Sequence, residues 1–147
     1  MGKPILCVDF DGVVHSYSSG WQGAAVVSDP PVEGAIAFLL GALLHFDVCI
    51  YSSRSSQPGG VAAMKNYLRH HAGQCWYESP AGPGLEDIRF PEQKPAAFLT
   101  IDDRAICFEG DWSALQPVEL LKFKPWNKRE TMFPVSERLR TDDEAAP

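Results

Sequence analysis

Three short, largely apolar runs separated by two helical patterns constrain the fold of this chain most. The runs cover residues 4–8, 47–51 and 97–101, and their length is typical of strands buried on both faces. Between them, residues 30–46 and 58–71 carry apolar side chains at helical spacing. This alternation predicts a parallel sheet with right-handed crossovers. We therefore expect an α/β fold, a three-layer Rossmann-like sheet with helices on both faces.

Length and composition indicate a single globular domain. The chain has 147 residues, which is a common size for one domain, and we expect that domain to cover residues 1–140, with residues 141–147 as a disordered tail. The net charge of −6 disfavours broad adsorption to nucleic acid or to anionic membranes. The apolar stretch 35–44 is too short to span a membrane. Four dispersed cysteines and the lack of a leader sequence favour the cytoplasm.

The segments between the main elements carry turn and cap signals. Residues 15–31 predict a hairpin-like excursion with a short strand at 24–27. Residues 52–56 are rich in serine and predict the turn and N-cap of the second helix, and Gly73 is its expected C-cap. Residues 74–77 predict another short strand.

Polar residues follow each of the three apolar runs. In an open parallel sheet, ligands gather beyond the carboxyl ends of the strands. Four carboxylates are therefore expected in one crevice, where their mutual repulsion would cost several kcal/mol without a compensating cation. Oxygen ligands alone indicate Mg²⁺, which commonly binds together with a substrate phosphate. These acids, and the serines that follow the second run, are Asp9, Asp11, Asp102, Asp103, Ser52 and Ser53.

The same residues offer a division of catalytic roles. Asp9 and Asp11 are two residues apart in an extended chain, so one carboxylate can attack phosphorus while the other transfers a proton. The Ser52 hydroxyl can donate to a phosphate oxygen, and Lys94 can neutralise charge in the transition state. Gly12, Ser53 and Arg54 are the candidate substrate-binding residues.

These motifs, in this order, resemble the haloacid dehalogenase superfamily, and the chain is similar to short members from bacteria and their phages. The resemblance spans about residues 4–104 and includes no cap domain. It implies that Asp9 forms an aspartyl-phosphate, that Asp11 acts as acid and then base, and that Asp102 binds Mg²⁺. The implied metal ligands also include Asp9 and the Asp11 main-chain carbonyl, with Asp103 supporting them. The motifs are Asp9-Phe10-Asp11-Gly12, Ser52, Lys94-Pro95 and Asp102-Asp103.

The sequence therefore predicts an Mg²⁺-dependent phosphohydrolase that cleaves phosphate monoesters, with nucleotides or nucleic-acid end phosphates first among the substrates. Several alternatives remain open. Ser53 could replace Ser52, and Lys65 could replace Lys94. The chain could instead be a non-catalytic phosphate-binding or protein-interaction module, or a receiver-like signalling domain, although the adjacent acid pair follows the last strand here. Residues 122–129 interleave aromatic and basic side chains, but nucleic-acid binding there is not favoured.

Overall fold

A computed structural model describes residues 2–80 and 82–130 of the chain. The chain divides into two compact units, Met1–Cys107 and Phe108–Pro147. The first unit contains the three apolar runs and both predicted helices. The tail predicted at 141–147 and the domain end predicted at residue 140 lie outside the described residues.

The first unit is an α/β unit built on a small parallel sheet. The sheet has three strands in the order β2 (Asp47–Ile50), β1 (Ile5–Val8) and β5 (Leu99–Ile101), so the first strand is central, as the sequence predicts. Val8 pairs with Ile50 on one side and with Ile101 on the other. In chain order, the strands and α-helices of this unit are β1 (Ile5–Val8), α1 (Ala35–Ala42), β2 (Asp47–Ile50), α2 (Gly60–Ala72), β3 (Glu78–Ser79), β4 (Gly82–Pro83) and β5 (Leu99–Ile101).

One hydrophobic core joins the sheet to the helices. Phe10 is fully buried and meets the Tyr67 ring edge-on, with ring centroids 5.5 Å apart. Each fully buried Leu, Ile or Phe contributes about 1.5–3 kcal/mol relative to its exposed state. Packing of α2 on the residues that follow β1 therefore fixes the backbone that carries the first acidic motif. The other buried core residues include Leu6, Val8, Val14, Leu39, Val48, Ile50, Met64, Leu68 and Leu85.

Both helices begin later than the sequence predicts. Helix α1 starts at Ala35, because Gly34 before it adopts a left-handed conformation with φ 83°. Helix α2 starts at Gly60, and its N-cap Gly59 makes no side-chain cap hydrogen bond. The serine cap predicted for α2 is therefore wrong, since Ser52 and Ser55 hydrogen bond to each other instead. Gly73 is the C-cap residue of α2, as predicted.

Two predicted short strands are absent from the described residues. Residues 24–27 form no strand, because the carbonyls of Gly23, Ala24 and Val26 accept hydrogen bonds from the Arg54 side chain. The segment predicted as a strand at 74–77 is a 3₁₀ helix, Gly73–Trp76. Among the described residues, the antiparallel pair β3 and β4 are the only strands outside the three-stranded sheet.

The second unit consists of short helical turns in its described part, residues 108–130. Helix α3 (Pro117–Leu120) begins with a proline in its first turn, which suits that residue because it lacks an N–H donor. Asp111 caps the preceding 3₁₀ helix by accepting a hydrogen bond from the Ser113 N–H, 2.9 Å long. No helix within residues 2–80 and 82–130 has the length and apolar character needed to cross a membrane.

Two helical glycines differ in the space around them, which gives a test of packing at the start of α2. A Cβ at Gly60 would overlap the Arg54 carbonyl oxygen, whereas a Cβ at Gly41 in α1 would meet nothing. We expect Gly60→Ala to lower the free energy of unfolding by about 1–3 kcal/mol, because overpacking forces the backbone apart. Gly41→Ala is the matched control and should be neutral or stabilising, since Ala favours helix. Urea unfolding measures both, and equal effects would contradict the packing argument.

Candidate functional site

Three carboxylates converge at the carboxyl ends of two neighbouring strands. Asp9 follows β1, and Asp102 and Asp103 follow β5. The two parallel strands are in register, and the Asp9 N–H donates to the Ile101 carbonyl at 2.9 Å. One carboxylate oxygen from each of the three residues lies within 4.8 Å of the others. The structure therefore brings together three of the four acids predicted to share the crevice.

The electrostatics of this cluster favour a positive partner. Burial is the largest cause that raises the pKa of Asp9 to about 8. A hydrogen bond from the Phe10 backbone lowers this pKa, and Asp102 and Asp103 raise it further. The Asp103 side chain is only 4% exposed. Its Oδ1 atom is buried and has no hydrogen-bond partner among the residues that the structure describes. A divalent cation would satisfy this oxygen and would favour the ionised form of Asp9.

Gly12 allows the Asp103 carboxylate to approach the loop after β1. Its φ of 80° lies in the left-handed region, and a Cβ at this position would overlap the Asp103 carboxylate. Its N–H donates to the His15 carbonyl at 2.7 Å. The close approach explains why glycine suits this position, and substrate binding by Gly12 remains a prediction.

Asp11 is not part of this cluster and lies in a hydrogen-bond network of its own. Its Oδ1 atom lies 2.9 Å from His15 Nδ1, and its Oδ2 atom accepts a 2.8 Å hydrogen bond from Arg54 Nε. Burial alone would raise the pKa of Asp11, but the hydrogen bonds from His15 and Arg54 and the positive charge of Arg54 hold it below its usual value. Asp9 and Asp11 therefore have pKa values shifted in opposite directions.

His15 is a site residue that the sequence did not assign. The sequence places it at the start of the predicted excursion over residues 15–31, and the structure buries its ring between Phe10 and Tyr67. Its Nε2 atom accepts a hydrogen bond from the Asp29 backbone N–H at 3.1 Å. Because a backbone N–H can only donate, Nδ1 carries the hydrogen that faces Asp11. The position of His15 four residues after Asp11 was the signal available in the sequence.

Arg54 joins the acidic loop to the excursion that follows it. Its side chain is fully buried, and Nη1 donates to the carbonyls of residues 23, 24 and 26 at 2.8–3.0 Å. The Trp21 ring centroid lies 4.9 Å from the Arg54 Cζ atom. The structure thus gives Arg54 a positioning role at Asp11, and its direct contact with a substrate stays a prediction.

The remaining predicted site residues have different surroundings. Ser52 is buried beside Arg54, and its hydroxyl oxygen accepts a hydrogen bond from the Arg54 N–H at 3.2 Å. Ser53 is exposed, and its carbonyl accepts from the Gln57 amide. Lys94 is exposed in the loop before β5 and makes no hydrogen bond or ion pair with any residue in the described part of the chain. The structure therefore places Ser52 next to the Asp11 network but does not bring Lys94 to the carboxylates.

Comparisons of this chain with protein-family models, with curated proteins and with solved structures find no match.

The raised pKa of Asp9 predicts a pH dependence of stability in metal-free protein. The folded pKa lies above the unfolded value of about 3.9, so the folded state binds the extra proton, and stability falls as pH rises toward about 8. We expect Asp9→Asn to remove a slope of up to about 1.4 kcal/mol per pH unit. Urea unfolding in a chelator between pH 5.5 and 8.5 measures this difference. Parallel profiles for the two proteins would contradict it.

Two arginine–aspartate pairs provide a test of the buried network. Arg54→Leu should lower the free energy of unfolding by about 3–5 kcal/mol, because Asp11 and three carbonyls lose their partner. Arg89→Leu is the matched control. Its bidentate pair with Asp47 is 50% and 41% exposed, so the loss should be about 1 kcal/mol or less. Chemical denaturation compares the two, and similar losses would show that burial does not determine the strength of the Arg54 pair.

Proposed function

We propose that this protein is an Mg²⁺-dependent phosphohydrolase of the haloacid dehalogenase type that cleaves phosphate monoesters. The proposal includes a three-layer, capless Rossmann-like fold and a cytoplasmic location, the latter favoured by its four free cysteines. The observation that carries it is the cluster of Asp9, Asp102 and Asp103, with a buried Asp103 oxygen in need of a partner. An acidic cluster of this kind, after two neighbouring parallel strands, suits phosphate chemistry.

Asp9, Asp102 and Asp103 would hold the ion, together with the Asp11 main-chain carbonyl that the resemblance implies. When bound, Mg²⁺ supplies positive charge that neutralises the carboxylates and the substrate phosphate. The need for it follows from Asp9 itself. With a pKa of about 8, Asp9 is mostly protonated at neutral pH and a poor nucleophile until a cation favours its ionised form.

The proposed reaction has two chemical steps, the formation of an aspartyl-phosphate on Asp9 and its hydrolysis by water. An Asp9 carboxylate oxygen forms a bond to phosphorus as the ester oxygen leaves. That oxygen takes a proton from Asp11, which must first gain one from solvent because its lowered pKa favours the ionised form. Water then attacks the phosphorus of the aspartyl-phosphate, gives a proton to Asp11, and releases inorganic phosphate and the Asp9 carboxylate. The buried Ser52 hydroxyl would donate to a phosphate oxygen, and Lys94 would neutralise charge on the same phosphate.

The reaction tests the proposal directly. Phosphate release from p-nitrophenyl phosphate and a nucleotide panel should require Mg²⁺ and should fall at least about 10³-fold in Asp9→Asn, because the nucleophile is lost. Asp87→Asn is the control, since Asp87 is an exposed carboxylate in a 3₁₀ turn. Activity that survives Asp9→Asn would overturn aspartyl catalysis. Equal losses in the two variants would point to a general effect on folding.

One observation favours a second function, a phosphate-binding module without turnover. Both Asp11 oxygens are hydrogen bonded, and the lowered pKa leaves this residue ionised, so it holds no proton for a leaving group. Mg²⁺-dependent binding of a phosphate monoester with no phosphate release would favour this module. Turnover by the wild-type protein would exclude it.

A further inference from the structure

Trp21 is an exposed indole held in place beside the candidate site. It is 46% exposed, and the guanidinium of Arg54 lies 4.9 Å from its ring centroid. The same guanidinium donates from Nε to Asp11 Oδ2 at 2.8 Å. A single buried side chain therefore separates the ring from the carboxylate that faces the leaving group in the proposed reaction.

The loop that carries Trp21 is fixed on both sides of the ring. Before it, Ser19 donates to the Asp29 carboxylate from its N–H and its hydroxyl, at 2.8 and 2.6 Å, which closes the base of the loop. After it, Arg54 Nη1 donates hydrogen bonds to the carbonyls of residues 23, 24 and 26, which restrains this part of the loop. An aromatic surface fixed in this way loses little conformational entropy when a ligand stacks on it.

We propose that Trp21 is a specificity-determining residue that stacks on the nucleobase of a nucleoside monophosphate whose phosphate lies at the carboxylate cluster. The inference rests on the proposed function and names the substrate class of that site. Indole is a large aromatic surface, and base stacking on aromatic side chains tolerates any base. The substrates are therefore purine and pyrimidine nucleotides alike, in preference to sugar phosphates of the same ester chemistry.

The test compares Trp21→Leu with wild type on adenosine 5′-monophosphate, uridine 5′-monophosphate and ribose 5-phosphate. Leucine keeps apolar cover over Arg54 but cannot stack. For both nucleotides we expect kcat/KM to fall about tenfold, mainly through KM, because stacking contributes to ground state and transition state alike. Values for ribose 5-phosphate should change less than about twofold, and Trp21→Phe should recover most of the nucleotide activity. Equal losses on all three substrates, or no loss on the nucleotides, would overturn the proposal.

Binding without turnover separates this inference from the proposed function. Calorimetry with Asp9→Asn, Mg²⁺ and adenosine 5′-monophosphate should show an affinity about tenfold higher than with Asp9→Asn/Trp21→Leu. Trp112→Leu in the same background is the control, since Trp112 is 75% exposed in the other unit and packs near Phe108. That affinity difference would support the Trp21 site even if no monoester were hydrolysed. Absence of nucleotide binding, with ribose 5-phosphate still hydrolysed by wild type, would overturn the Trp21 site and leave the phosphohydrolase proposal intact.

Discussion

The buried pair between Arg54 and Asp11 holds together the parts of the chain that form the candidate site. Arg54 follows β2, Asp11 follows β1, and the three carbonyls on Nη1 belong to the excursion between β1 and α1. A fully buried guanidinium is costly unless hydrogen bonds satisfy its donors. The excursion folds back over Arg54 so that its carbonyls satisfy Nη1, while Nη2 has no hydrogen-bond partner among the described residues. The fixed position of Trp21 and the lack of a strand at 24–27 are both consequences of this one requirement.

Neighbouring carboxylates acquire opposite chemistry from their surroundings. Asp9 is buried beside two other acids, and its pKa lies above the usual aspartate value. Asp11 is hydrogen bonded to Arg54 and His15, and its pKa lies below that value. Only two positions separate them in the chain. Such divergence is a usual basis for distinct roles of paired carboxylates. In the proposed phosphohydrolase, this divergence suits Asp9 to the role of a nucleophile that needs a cation, and it suits Asp11 to accepting the proton of the attacking water.

Much of the fold and part of the site could be predicted from local patterns. The central position of β1 and the convergence of Asp9 with Asp102 and Asp103 follow from apolar runs that end in acids, since parallel strands present their carboxyl ends at one edge. Helix starts were predicted less well, because left-handed Gly34 and Gly59 delay both helices and the expected serine caps bond to each other. Lys94 fits its motif in sequence, yet its loop leaves it exposed and unpaired among the described residues.

The sequence by itself determined the α/β class, the parallel sheet and the cluster of acids at its edge, because hydrophobic periodicity and strand direction are local properties that fix which residues share that edge. Only the tertiary structure decided that Arg54 hydrogen bonds to Asp11 and that His15 presents Nδ1 to the same carboxylate. It also decided that the Trp21 ring packs on the Arg54 guanidinium. Those contacts join residues up to 43 positions apart. They depend on which donors remain unsatisfied once the core has formed, and no local pattern encodes that.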